Sequence, residues 1–586
     1  MLEKSMLNLI EKIAYKYALL NAIKHNGKAM IGPVVAKVIG EKPELKPYAR
    51  DVVVVVKKVV DEVNKLTLEE QVDELKSKWP ELLEVKPTIE KKELPPLPNV
   101  DKYPRVTTRF APNPDFVLTL GNARAAILSY EYARRYNGKF ILRFEDTDPK
   151  TKTPLKEAYE LIREDLKWLG LDWDEEYIQS LRMEIFYKYA RKLIEVNGAY
   201  VDLCSQREFQ KLRNNGIPCP HRDQPVENNL ELWDRMVNGW YGEGEAVLRI
   251  KTDLKHPDPP VRDWVAFRII DTDKNPHPLV GSRYVVWPTY NYAAAIDDHL
   301  MGVSHILRGR EHAQNTTKQM FLYAHLGWKY PETIHFGRLR FEGFVLSKSK
   351  IRGLLEGKPG EYEGYDDPRF GTLRSLRKRG FIPETIRRII FDVGVKPSDA
   401  TISFDNIASI NRKILDRKAP RIMFVANPVR LHIENVSELK STIPFHPEVR
   451  NMGYREIIVK GAEGVDVYIS EDDVKLFREH NIVRLMELVN VELVDIMHDH
   501  IKVKVHSYDV EEAKKVKAPI IQWVGGRYVE TYMIAPKGDE LERVKGLSEY
   551  SILKFKPDDI VQFVRVGFVR IHELHKDKVK VYYAHP

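Results

Sequence analysis

The sequence predicts an α/β domain built on a parallel sheet, with a helical region before it and small β-barrels after it. Three observations lead there. Residues 106–144 read as strand, turn, helix and strand with a short crossover, which implies parallel pairing. Residues 1–85 are helical in period. Beyond residue 420, short strands recur at close spacing between Gly, Asn and Asp turns.

Taken in order, the N-terminal residues Leu2, Met6, Leu9, Ile10, Ile13, Tyr17 and Leu20 recur near helical spacing, and Gly27 stops the run. Acids mixed into this stretch make it a helix rather than a signal or transit peptide. Val52–Val56 fits a strand or a buried helix, and Thr67 with Glu70 forms a capping box. Core packing is the expected role of this region. Residues 86–104 carry Pro87, Pro95, Pro96, Pro98 and Pro104 among charges and read as a linker.

The next stretch, RFAPNPDFVLTLGNARAAI from Arg109, is built like a phosphate cradle. A strand over 106–111 is broken by Pro112, Asn113, Pro114 and Asp115. Gly121 and Asn122 then open a helix whose first N–H groups face an anion. Alone, this fits an ordinary α/β turn equally well. A second buried strand, 139–144, ends at Glu145, Asp146 and Asp148, on the sheet edge where ligands bind. Helices are expected over 154–169 and 181–196. Residues 199–283 change texture, with strands at 246–251 and 264–270, and read as an inserted subdomain. The βα style resumes at Tyr284, with a helix near Tyr292 and a strand near 304–308. A loop through residues 341–346 leads to Ser347-Lys348-Ser349-Lys350.

Residues 366–420 are helical and basic. Between Arg369 and Arg421 thirteen Lys/Arg stand against five Asp/Glu, an excess equal to the net charge of +8 of all 586 residues. That concentration suggests a polyanion partner, the alternative being a solvated helical face. The remaining 160 or so residues suit two small barrels. Composition is 43% hydrophobic, and no apolar run is long enough to span a membrane. Two cysteines, Cys204 and Cys219, exclude a disulfide framework and fit a reducing, cytoplasmic location.

An early phosphate turn, a later Lys-bearing loop and an insertion between them resemble a class I aminoacyl-tRNA synthetase. Its HIGH and KMSKS signatures stand here as Thr119-Leu120-Gly121-Asn122 and Val345-Leu346-Ser347-Lys348-Ser349. The stretches ILRFEDTDP, AIDDHLMGVSHILRG and YDDPRFGTLRSLRKRGF look like the glutamyl/glutaminyl subgroup, and the β-rich C-terminus like its archaeal-type branch.

The resemblance covers residue 100 to the C-terminus. It implies a Rossmann-like catalytic domain over 105–365 with an acceptor-stem-binding insertion at 199–283, a basic stem-contact region at 366–420, and two anticodon-binding β-barrels at 421–586. The helical region 1–85 and the linker 86–104 precede them. It implies a monomer that consumes ATP with Mg2+, activates L-glutamate to glutamyl-adenylate and transfers it to the terminal ribose of tRNA(Glu), either alone or with tRNA(Gln) as a further acceptor. Alternatives are a glutamine–tRNA ligase and a catalytically silent tRNA-binding relative.

By the same resemblance Gly121, Asn122, Arg338, Leu339, Ser347 and Lys348 would bind ATP, with Lys348, Thr119 and Asn122 serving catalysis. Arg109, Asn113, Glu145, Tyr290 and Arg308 would surround the amino acid. A basic residue at the position of Arg308 goes with glutamate, because guanidinium matches a carboxylate and is costly to bury against a neutral amide. Its alternative is an Arg paired to a neighbour such as Glu311. Two positions depart from the pattern, Thr119 for the first His and Val345 for the first Lys. Asp202, Cys204, Cys219 and His221 make an Asp-x-Cys…Cys-x-His set in the insertion, either a zinc site or a metal-free remnant of one.

Overall fold

Five consecutive valines settle as a helix. In the computed structural model, which describes residues 4–24, 27–79, 93–343 and 347–586, the chain divides into two units, residues 1–91 and 92–586. The first contains helices α1 (Lys4–Lys24), α2 (Ile31–Glu41), α3 (Ala49–Val63) and α4 (Leu68–Lys78). Val52, Val56, Val59, Val60 and Val63 recur on one face of α3 and are buried, while Val53 and Val54 on the other face are exposed. Thr67 caps α4 as its sequence predicts: its N–H donates to the Glu70 carboxylate at 2.8 Å, and its hydroxyl accepts the Glu70 N–H.

The second unit opens on the expected βαβ: β1 (Thr107–Phe110), α5 (Leu120–Arg135), β2 (Lys139–Phe144), α6 (Lys156–Trp168) and β3 (Glu175–Ile178). The three strands are parallel in the order β1-β2-β3. All four residues of β1 are buried, as a strand covered on both faces requires. Gly138 turns the chain into β2 so tightly that a Cβ there would lie 2.2 Å from the Val106 carbonyl oxygen. A second parallel pair, His305–Gly309 with Glu332–Phe336, runs along the other side of β1. The Ser304 N–H donates to the Thr107 carbonyl at 3.0 Å, and the Thr107 N–H to Ser304 Oγ at 2.8 Å. The chain thus leaves β1 in one direction and returns on the other side. That switch point opens a crevice at the strands' C-terminal ends.

Residues 93–104, the described part of the expected linker, pack against this sheet rather than bridging free space. Leu94 and Leu97 are buried in its core, and the Tyr132 hydroxyl donates to the Pro95 carbonyl at 2.9 Å. Residues 86–92 of that region, with 80–85 before it, lie outside the described residues.

The insertion is a four-stranded antiparallel sheet, Ala199–Asp202, Val247–Ile250, Val265–Ile269 and Val286–Pro288, packed around Trp233, Phe267 and Trp287. Its last strand leads directly into the helix Tyr290–Leu300.

The basic segment does contain helices, Leu373–Arg379, Pro383–Val393 and Phe404–Leu415, but its charge excess is not a free surface. Acids from elsewhere in the chain neutralise much of it. Arg374 pairs with Glu164 and Asp165, Lys378 with Glu363 and Asp366, Arg387 with Glu131, and Arg369 with Asp367. Arg379 is buried and donates to the Ala584 carbonyl. The expectation of one concentrated positive face is corrected accordingly.

Where two barrels are expected, the chain forms two seven-stranded mixed sheets, each with its own core. Strands Arg421–Ile422 and Phe424–Ala426 are the two edges of one of these sheets, and the run they form lies between the two cores. Ile422 and Phe424 face one core, Met423 and Val425 the other, because successive side chains of an extended chain point to opposite sides. Among the described residues no helix is long and apolar enough to cross a membrane.

Candidate active site

A cavity of about 640 Å³ occupies the crevice beside β1, and Arg109, Asn113, Glu145, Tyr290 and Arg308 all line it together with Gly121 and Asn122. The fold brings them there from both sides of the switch point. Arg109 lies within β1 and Asn113 in the turn just after it; Glu145 follows β2 directly. Tyr290 opens a helix, and Arg308 sits near the end of the strand His305–Gly309. Asn113 carries a buried Oδ1 without a protein partner.

The floor of the cavity is a chain of alternating charges. Asp298 Oδ1 accepts from Arg109 Nε at 3.1 Å and from Arg143 Nη1 at 2.8 Å, and Arg143 Nη2 donates to Glu145 Oε1 at 2.9 Å. Burial raises the Glu145 carboxyl above its ordinary range, opposed by the guanidinium groups of Arg143 and Arg109. Burial acts on Asp298 in the same sense, but there the two guanidinium groups prevail and hold its pKa low. His312, on the cavity wall, is pushed down by burial and by Arg308, so it is neutral at pH 7.

Arg308 differs from the other two arginines. It is 5% exposed, and its partners are all neutral: Gln319 Oε1 at 3.2 Å, the Tyr330 hydroxyl at 2.9 Å and Thr316 Oγ1. No carboxylate pairs with it among the described residues. Glu311, the neighbour the sequence offers, lies 3.9 Å from Arg338 instead. With Arg143 and Asp298 behind the wall, the site holds five cations against four carboxylates.

The N-terminus of α5, expected to cradle an anion, borders the cavity through Gly121 and Asn122. A Cβ on Gly121 would meet nothing nearer than Thr119 Oγ1 at 3.7 Å, so its backbone is approachable. Thr119 itself is 7% exposed and does not line the cavity. Its N–H and its hydroxyl both donate to Asn122 Oδ1, at 3.1 and 2.9 Å, so it serves as the helix cap.

The second signature is placed differently from its sequence reading. Lys348 does not sit in a loop but opens the helix Lys348–Gly357, capped by Ser347, whose Oγ accepts the Lys350 N–H. Lys348 Nζ lies 3.0 Å from Asp115 Oδ1, and Arg352 donates to the Asp115 carbonyl. Ile351 anchors the helix against Phe116, Val117 and Phe370. Lys348 thus touches the turn after β1 at Asp115, ahead of the first signature, and neither Lys348 nor Ser347 lines the cavity. Arg338 and Leu339 do not line it either; Arg338 is exposed, and Leu339 begins the strand Leu339–Glu342. Val345 and Leu346 lie outside the described residues.

In the insertion, donor atoms of Asp202, Cys204, Cys219 and His221 converge within 4.8 Å. Cys204 Sγ is 3.5 Å from Cys219 Sγ and 3.6 Å from His221 Nδ1. Cys219 Sγ is 3.3 Å from His221 Nδ1 and 3.0 Å from Asp202 Oδ1, which is 3.3 Å from His221 Nδ1. The edges of a tetrahedron around zinc with such ligands are about 3.3–3.8 Å. Arg249 Nε donates to the other oxygen of Asp202 at 2.6 Å and fixes its orientation.

Sequence reasoning missed Arg143 and Asp298, and the Thr316, Gln319 and Tyr330 set that holds Arg308. A signal for Arg143 was present, since it stands two residues before Glu145, on the same side of an extended strand. The partners of Arg308 come from a helix and a loop, and no local pattern marks them.

Comparison with known proteins identifies the family. The family model described as tRNA synthetases class I (E and Q), catalytic domain, matches residues 105–417, and the corresponding anti-codon binding domain matches residues 419–517. The glutamate–tRNA ligase of Hyperthermus butylicus is 54% identical over 583 residues, covering 97% of this chain and 100% of its own. That of Pyrococcus furiosus is 52% identical, covering 98% and 100%. That of Staphylothermus marinus is 52% identical, covering 97% and 100%. With a cavity at the switch point of a parallel sheet and these matches along its length, the chain belongs to the class I (E and Q) tRNA synthetases.

Proposed function

We propose that this chain is a glutamate–tRNA ligase. A carboxylate oxygen of L-glutamate attacks the α-phosphorus of ATP and pyrophosphate leaves. A hydroxyl of the terminal ribose of tRNA(Glu) then attacks the carbonyl of the mixed anhydride, and AMP leaves. The observation that carries the choice of glutamate is Arg308, a buried cation without a counter-charge. Leaving such a group unpaired costs several kcal/mol, which a side-chain carboxylate offsets and a carboxamide does not. The single excess positive charge of the site also matches the net charge of glutamate rather than glutamine.

In this reading Glu145 holds the substrate ammonium, Tyr290 offers a hydroxyl, and Arg109, steadied by Asp298, presents its remaining N–H groups to a carboxylate. Charge gathering on the phosphate oxygens meets the N–H of Gly121 and the Lys348 ammonium, which must leave Asp115 to reach them; the expected N–H of Asn122 is instead donated to the Thr119 carbonyl at 3.0 Å. The adenine would lie by Arg338 and Leu339, with Mg2+ accompanying the triphosphate. The insertion would take the acceptor stem, and the two C-terminal sheets, as barrels, the anticodon. tRNA(Gln) is proposed as a second acceptor.

The donor set in the insertion fits zinc in residue type and spacing. Asp202, Cys204, Cys219 and His221 would hold it, and it would cross-link the segment 204–221, which contains the helix Gln206–Asn214, to the sheet. Metal analysis of the purified protein should give one zinc per chain, lost in Cys204→Ser.

Charging of tRNA(Glu) and tRNA(Gln) with each amino acid tests the main reading. Glutamate is expected on tRNA(Glu), with activity lost in Lys348→Ala. Charging with glutamine alone would overturn the assignment.

A further inference from the structure

Trp240 is the one exposed tryptophan among the described residues, with 70% of its surface open to solvent. The other eight are buried or half-buried. Fold stability gives no reason to leave so large a ring in water. It stands in the turn between the insertion's helix Val226–Val237 and its strand Val247–Ile250. The Arg235 guanidinium lies over it, 5.3 Å from the ring centroid.

This turn is pinned to the rim of the active-site cavity. Glu243, three residues on, accepts from Lys150 Nζ at 2.8 Å and from the Asp271 N–H at 3.0 Å. Lys150 lies between Asp148 and Lys152, both of which line the cavity, and Asp148 pairs at 2.7 Å with Arg268, which lines it too. An exposed aromatic ring, with Arg235 (itself paired with Glu231) over it, therefore stands beside a rim that carries Lys152 and the ion pairs Lys150–Glu243 and Arg268–Asp148.

We propose that Trp240 stacks on an unpaired base of the single-stranded 3′ end of tRNA and so guides the terminal ribose into the cavity. The inference rests on the ligase reading above. For a 3′ ribose to reach the adenylate, its strand must pass over the cavity rim. The ring offers that strand a stacking face, and Lys152 on the rim offers a phosphate partner. An apolar protein partner would need neighbouring apolar surface, and the turn offers charges and glycines instead.

The test compares Trp240→Ala and Trp240→Phe with the unaltered enzyme, using intact tRNA(Glu) transcript and the same transcript lacking its last three nucleotides. Trp240→Ala is expected to bind intact tRNA about tenfold more weakly, the lower range of a base–aromatic stack, and the truncated transcript as well as the unaltered enzyme does. Trp240→Phe should retain most of the affinity, and both variants should melt at the unaltered temperature. Equal affinity for intact tRNA, or equal weakening for both transcripts, would overturn the role. A wild-type enzyme that charges no tRNA would overturn the ligase reading instead, while the binding comparison would still report on Trp240.

Discussion

Arg308→Gln removes the cavity guanidinium that has only neutral partners while keeping a side chain of similar reach. Gln319, Tyr330 and Thr316, which now accept from Arg308, can hydrogen-bond a carboxamide in its place. The expected outcome is a fall of about 10³-fold in kcat/KM for glutamate, the scale of losing a buried charge partner. Glutamine, which gains nothing from the cation, should lose far less, and competition charging with both amino acids measures the ratio. An unchanged ratio would remove Arg308 from substrate choice. How this residue was legible is itself instructive. Its identity and its position at a strand end were visible in ILRG, but its lack of a carboxylate partner was not, because Glu311 stands three residues away and reaches Arg338 instead. Thr119 shows the converse. Its departure from the signature stood out in the sequence, yet its hydroxyl is committed to Asn122 at the start of α5, a bond no sequence pattern showed.

At the scale of elements, periodicity located most helices and strands, and it failed where a pattern had two readings. β2 was expected over 139–144 and lies there; α6 was expected over 154–169 and spans Lys156–Trp168. The run Ile422 to Val425 is apolar on both faces, so no period can say that it separates two cores. Ser347-Lys348-Ser349-Lys350 reads as loop by composition, yet Ser347 caps a helix held by the single buried Ile351. That helix and the turn after β1 meet through Lys348 and Asp115, whose side chains are 37% and 17% exposed. An ion pair so placed is worth about 1 kcal/mol or less. Under the proposed mechanism ATP must compete with it for Lys348. Asp115→Asn should therefore lower the KM for ATP by about two- to fivefold. A raised KM would mean that Asp115 positions the lysine instead of restraining it.

For the whole molecule, charge counting along the chain saw the excess between residues 369 and 421 but not its neutralisation, since the acids come from positions as distant as Glu131 and Glu164. The same helical segment is joined to the C-terminal sheet by a buried imidazole. Asn411, on the helix Phe404–Leu415, donates through Nδ2 to His585 Nε2 at 2.8 Å, and its Oδ1 accepts from Thr385 Oγ1 at 2.6 Å and from the Ile382 N–H. With Oδ1 occupied, the amide faces His585 as a donor, which requires a neutral ring with an unprotonated Nε2. His585 is fully buried between Phe381 and Phe568, and burial, with Arg412 and Arg379 nearby, lowers its pKa to about 4. A folded-state pKa below the unfolded value means that the unfolded chain takes up the proton first as pH falls. The contribution is therefore complete above about pH 6.5 and is lost progressively between there and pH 4, amounting to about 3 kcal/mol. His585→Gln removes the titration while keeping an acceptor for Asn411. Melting temperatures measured from pH 7.5 to 4.5 should show the unaltered protein losing stability faster than the variant, so that the gap between them narrows with acid. A gap constant across that range would mean that protonation of His585 does not couple the helical segment to the sheet.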